Sequence, residues 1–141
     1  METMEARMVK LYARNNNHVA LHAIPGHFAT SHSHINFYID MTSLKTRANE
    51  AQEVAKSLAG DYVNSTVVDT IVCMDGTEVV GAYLAQEFEK RGFRNTNLHD
   101  TIYVVTPEYN ANNQLIFRDN TIPAIKGKNV ILLLATTTTG L

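Results

Sequence analysis

The chain has 141 residues, 45% of them hydrophobic, which suits one domain with a real core, since domains commonly run to about 100–200 residues. Its formal charge of −2, with 12 scattered Lys and Arg, lacks the basic footprint of a nucleic-acid binder. A single cysteine, Cys73, excludes an internal disulfide, and no apolar run reaches the roughly 18 residues of a membrane span. Residues 1–11 carry charges every few positions and do not read as a secretory signal, so the sequence is that of a soluble, cytoplasmic protein.

In chain order, Met4, Met8, Leu11 and Tyr12 fall at helical spacing and predict a helix over residues 4–14, stopped by Asn15, Asn16 and Asn17. Two strand-like pieces follow, at residues 19–24, ending on Pro25-Gly26, and at residues 35–39; they predict a hairpin or small antiparallel flap. Leu44, Ala48, Ala51, Ala55, Leu58 and Tyr62 recur every three or four positions, so residues 43–62 read as one amphipathic helix with Gly60 placed to close it.

Residues 67–74 form a nearly continuous apolar run, as in a strand covered on both faces. Val80, Tyr83, Leu84 and Phe88 signal a helix over residues 78–91, with Glu78 at its start and Lys90-Arg91 at its end, as the helix dipole prefers, and Gly92 beyond. A strand at 101–105 completes a βαβ unit. Residues 107–120 are polar and Asn-rich and read as a mobile loop, apart from 114–117, which can pair as a strand. A turn at Lys126-Gly127-Lys128 leads to a second fully buried strand at 130–134. The fold class is α/β: one domain with an N-terminal helix and flap over residues 1–42 and a parallel-sheet core over 43–141, helices on both faces.

Directly after the last strand come Thr136, Thr137, Thr138, Thr139 and Gly140. The carboxyl end of a parallel strand opens onto a crevice, where hydroxyls and free backbone N–H groups can surround a phosphate and a glycine lets the backbone approach. Taken alone, the run fits equally well a polar turn that caps a following helix. His22, His27, His32 and His34 lie close together, but their spacing matches no recognised zinc pattern, and they read as polar flap residues near a ligand. Cys73 reads as a small core residue.

Residues 127–140, GKNVILLLATTTTG, resemble the phosphoribosyl pyrophosphate signature of type I phosphoribosyltransferases: a GK turn, a buried strand, then TTG. The segment from Ser31 through Phe37 and Tyr38 to Asp40 is similar to the serine-rich, aromatic-pair segment of orotate phosphoribosyltransferases, and a long helix follows it here as there. Residues 69–85 look like that family's strand, pyrophosphate loop and helix, with Asp75-Gly76-Thr77-Glu78 in the loop position. The resemblance implies a type I phosphoribosyltransferase fold and a homodimer. It implies transfer of ribose 5-phosphate from phosphoribosyl pyrophosphate to a pyrimidine-like base, with Mg2+ carrying the pyrophosphate charge. It places Thr136, Thr137, Thr138, Thr139 and Gly140 at the 5-phosphate, Asp75, Gly76 and Thr77 at the pyrophosphate or its magnesium, and Phe37 and Tyr38 at the base. Arg118, the only cation of the 106–120 region, takes the part of the catalytic loop charge.

The chain departs from the family where two adjacent acidic residues normally hold the ribose hydroxyls: Leu134 and Ala135 stand there. Asp75 and Glu78 also bring negative charge to the pyrophosphate loop. These departures favour a second expectation, a phosphoribosyltransferase-like ligand-binding or regulatory protein without turnover. A buried strand at 130–134 with no helix after it implies either a truncated chain or a partner, such as a dimer mate, over that surface.

Overall fold

The computed structural model describes residues 5–29 and 34–136. The fold opens on an antiparallel sheet of β1 (Val9–Tyr12), β2 (Ala20–Ala29) and β3 (His34–Asp40), in that order. The helix expected at residues 4–14 is instead a 3-10 turn, Glu5–Arg7, followed by β1. Leu11 and Tyr12 remain 52% and 61% exposed, so their helical spacing has no core to face, and pairing with β2 satisfies the backbone. The asparagines make the β1–β2 turn: the Asn16 side chain accepts the His18 N–H at 2.9 Å and donates to Glu53 and Ser57 at 3.1 and 3.0 Å.

The antiparallel flap is present, but β2 does not end at Pro25-Gly26. It runs on to Ala29, and its register with β3 shifts between Pro25 and Phe28, a bulge that accommodates a residue without an N–H.

The single helix expected at 43–62 is divided into α1 (Thr42–Thr46) and α2 (Ala48–Tyr62) by Arg47, whose ψ of 118° is extended. Arg47 serves both helices, its N–H bonding to the Ser43 carbonyl at 3.0 Å and its carbonyl accepting from Ala51 at 2.9 Å, so the break leaves no orphaned backbone group at that residue. Gly60 lies inside α2 rather than closing it. Ala51, Ala55 and Ala59 are fully buried, and this small-residue face lets α2 lie close against α3 (Glu78–Lys90).

The core sheet contains β4 (Thr70–Cys73) and β5 (Tyr103–Val105), joined through α3 as a parallel βαβ unit. A short hairpin, β6 (Glu108–Tyr109) with β7 (Leu115–Ile116), occupies most of the expected loop, and β8 (Val130–Leu133) then joins β4 in parallel, giving the order β5-β4-β8. Ile71, Cys73, Leu84, Ala85 and Phe88 form the centre of the core with Ala55 and Ala59 of α2. Complete burial of a side chain such as Phe88 or Ile71 contributes roughly 1.5–3 kcal/mol.

Two expectations about this sheet are corrected. Among the described residues α2 and α3 share the Ile71 face, while the opposite face meets the 3-10 turn Ile122–Ala124, where the Thr70 hydroxyl donates to the Ala124 carbonyl. Among the described residues β8, expected to be fully buried, lies at the edge of the sheet. Ile131 and Leu133 pack on the core, but Val130 and Leu132 are 40% and 57% exposed on the other face. No helix among the described residues is long and apolar enough to cross a membrane.

Candidate functional site

Because β4, β5 and β8 are parallel, their carboxyl ends open at one edge of the sheet, where α/β folds present ligand-binding loops. Residues 74–77, 106–107 and 134–136 leave the sheet there. In the first of these, Asp75 and Gly76 both adopt left-handed backbone, with φ of 56° and 75°, a conformation natural to glycine and uncommon for aspartate. Thr77 closes the turn: its N–H and hydroxyl reach the Met74 carbonyl at 3.1 and 2.7 Å, and the hydroxyl also lies 3.3 Å from the Leu133 carbonyl. The Thr77 side chain is therefore buried and structural, whereas Asp75 and Gly76 face outward. A bond from Met74 N–H to the Leu133 carbonyl, 2.9 Å, fixes the turn beside the chain that leaves β8 toward Thr136.

On the β5 side of this turn a cleft of about 270 Å³ is bounded by Asp75, Gly76 and Glu78 on one wall and Thr106, Pro107 and Tyr109 on the other. The Thr106 hydroxyl stands 3.5 Å from Glu78 Oε1, joining the two walls. Cys73 lies beneath it, and burial, reinforced by the Glu78 charge, pushes its thiol up to about 11, so it is a core residue and no nucleophile at neutral pH.

Lys45 has no local signal in the sequence, because it lies 30 residues before the turn it reaches. Its ammonium comes from α1 and donates to the Asp75 carbonyl at 3.0 Å. The same short helix begins where β3 ends: Asp40 accepts the Thr42 N–H at 2.9 Å, and hydrogen bonds from Thr42, aided by the charges of His22 and Lys45, hold the Asp40 carboxyl below the usual carboxylate range. The flap is thus anchored at its base to the turn after β4.

Phe37 and Tyr38 lie on β3, three and two residues before that anchor, and are 54% and 44% exposed. Tyr38 packs against Phe28 with ring centroids 5.7 Å apart, and alternation along the strand turns Phe37 to the other face. Arg118 lies beyond β7 and is paired with Glu108, its Nε and Nη2 at 2.8 and 2.7 Å from Oε1. Thr136 is exposed at the carboxyl edge, whereas Thr137, Thr138, Thr139, Gly140 and His32 fall outside the described residues. His27 Nε2 and His34 Nδ1 are 2.8 Å apart across the flap; among the described residues no group of three or more His, Cys, Asp or Glu is arranged to hold a metal.

A second residue missed in the sequence is Asp69, a fully buried carboxylate just ahead of β4. Burial pushes its pKa up, but hydrogen bonds from the backbone and side chains of Asn129 and Thr96 outweigh this and hold it at about 2. The signal was an acid inside an apolar run, which must be bonded wherever it is buried.

Comparison with protein-family models, with curated proteins and with solved structures finds no match to this chain.

Proposed function

We propose that the protein is an orotate-type phosphoribosyltransferase, moving ribose 5-phosphate from phosphoribosyl pyrophosphate to a pyrimidine-like base. The observation that carries this reading is the adjacency of two loops at the carboxyl edge: the left-handed Asp75-Gly76 turn after β4 lies beside the chain leaving β8 for Thr136, tied by the Met74 to Leu133 bond. A ligand with a phosphate at each end needs two such neighbouring sites. Thr136 to Gly140 would take the 5-phosphate, Asp75 and Gly76 the pyrophosphate, with Thr77 holding the turn. Phe37 and Tyr38 point to opposite faces of β3, so one ring of the pair would face the base and the other would pack within the flap.

Asp75 and Glu78 at the cleft suit a magnesium ion, a hard cation commonly held by one or two carboxylates together with substrate phosphates. Bound there, it would neutralise the leaving pyrophosphate. In the reaction the bond from ribose C1 to the pyrophosphate oxygen breaks, pyrophosphate keeps the electron pair, and a base nitrogen bonds to C1 with loss of its proton. No protein nucleophile is needed, so the chain's contribution is positioning and charge. The same reading includes a homodimer.

A second reading, a binding protein without turnover, is favoured by the Arg118–Glu108 pair, which engages the expected loop cation, and by aliphatic Leu134 and Ala135 in place of the acidic pair. Affinity for phosphoribosyl pyrophosphate and pyrophosphate release, measured with magnesium and a panel of bases, separate the two. Base-dependent release supports the transferase; tight binding without release supports the binding protein. Absence of binding removes both.

A further inference from the structure

The site as read from the sequence has a charge problem. A pyrophosphate would approach a turn carrying Asp75 and Glu78, and the cation expected to balance them, Arg118, is already paired with Glu108. The structure supplies another cation, from an element far away in the sequence. Lys45 Nζ reaches the Asp75 carbonyl at 3.0 Å, and a side chain placed on Gly76 would begin 3.7 Å from the same nitrogen, so the ammonium lies over the backbone of the turn. One of its three N–H donors is used by that carbonyl. Among the described residues no carboxylate stands within ion-pair distance of it, and Asp40 interacts with its charge only from farther away, whereas Lys56, Lys90, Arg47, Arg91 and Arg118 are each paired directly with a glutamate.

We propose that Lys45 is the pyrophosphate-binding cation of this site, donating its remaining N–H groups to the diphosphate end of the ligand as it settles on the Asp75-Gly76 turn. The proposal rests on the phosphoribosyl reading above and adds to it the source of the charge, a helix at the base of the flap rather than the 106–120 segment. It also links two parts of the site. Lys45 sits five residues after Asp40, where the strand bearing Phe37 and Tyr38 ends, so engagement of the diphosphate steadies the flap that meets the base.

Calorimetric titration of the intact protein and of Lys45→Met with magnesium pyrophosphate, ribose 5-phosphate and phosphoribosyl pyrophosphate tests this. The expected result for Lys45→Met is at least about tenfold weaker binding of the two diphosphate ligands, from loss of charge-assisted bonds, with ribose 5-phosphate affinity unchanged. Lys45→Arg, which keeps the charge, should retain most of the affinity. Equal pyrophosphate affinity in the intact protein and Lys45→Met overturns the proposal, even where phosphoribosyl pyrophosphate is turned over; no pyrophosphate binding by the intact protein also overturns it. Lys45-dependent pyrophosphate binding without affinity for phosphoribosyl pyrophosphate leaves the proposal standing and removes the transferase reading. Should Lys45→Met lose ribose 5-phosphate as well, Lys45→Arg decides: retained pyrophosphate affinity supports the charge role, and a loss as severe as that of the Met variant overturns it.

Discussion

Asn129 donates both its backbone N–H and its side-chain amide to one oxygen of Asp69, Oδ2, at 2.8 and 2.9 Å, while its own carbonyl accepts the Asp69 N–H at 2.9 Å. Thr96 adds its hydroxyl to Oδ2 at 2.8 Å and its N–H to Oδ1. One buried carboxylate thereby joins the segments leading into β4, β5 and β8, and sets the register that brings their carboxyl ends level.

Asp69→Ala should destabilise the fold by about 3 kcal/mol or more, because it strands several buried donors at once. Urea denaturation of both proteins checks the figure. The carboxyl is held at about 2 in the folded chain, below the ordinary aspartate value, so its contribution is complete above the unfolded pKa and is lost as pH falls toward 2. The intact protein should therefore lose more stability than Asp69→Ala over that acid window; parallel pH dependences would contradict this role.

Gly81 of α3 faces Cys73 of β4 so closely that an added Cβ would lie 2.3 Å from Sγ. Helix propensity alone favours Gly81→Ala by up to about 1 kcal/mol, but the clash should win and destabilise the protein by about 1–3 kcal/mol. Cys73→Ala removes the obstructing sulfur, so the double variant should recover part of the loss. Chemical denaturation of the two single variants and the double variant forms the cycle, and strict additivity would exclude the contact as the cause.

The Arg118–Glu108 pair is exposed, with side chains 70% and 47% accessible, and such pairs are worth about 0–1 kcal/mol. Glu108→Gln should leave the melting temperature nearly unchanged. If Arg118 serves the ligand, releasing it should strengthen phosphoribosyl pyrophosphate binding, and Arg118→Ala should weaken it. Identical affinities in all three proteins would remove Arg118 from the site.

The elements legible in the sequence were those whose own periodicity matched their burial. Val80, Leu84 and Phe88 mark a helix that is present, and the apolar run around Ile71 marks a strand buried on both faces. Residues 4–14 misled because Leu11 and Tyr12 are held by pairing with Leu21 and Ala20, a relationship local spacing does not contain. Arg47 hid the break between α1 and α2 because apolar spacing continues through it. β8 read as fully buried from Val130 and Leu132, although edge position depends on what covers the sheet. Within the candidate site, the turn at Asp75 and Gly76 was visible as a motif, whereas Lys45, 30 residues earlier, becomes a neighbour only after α1 packs beside it.

The most direct measurement is a phosphorus NMR time course of the protein with magnesium, phosphoribosyl pyrophosphate and orotate or a related pyrimidine. A phosphoribosyltransferase converts the substrate resonances to those of pyrophosphate and a nucleoside monophosphate in equal amounts, and only when base is present. Substrate resonances that stay unchanged in position, width and intensity across the panel of bases would contradict both turnover and binding at this site.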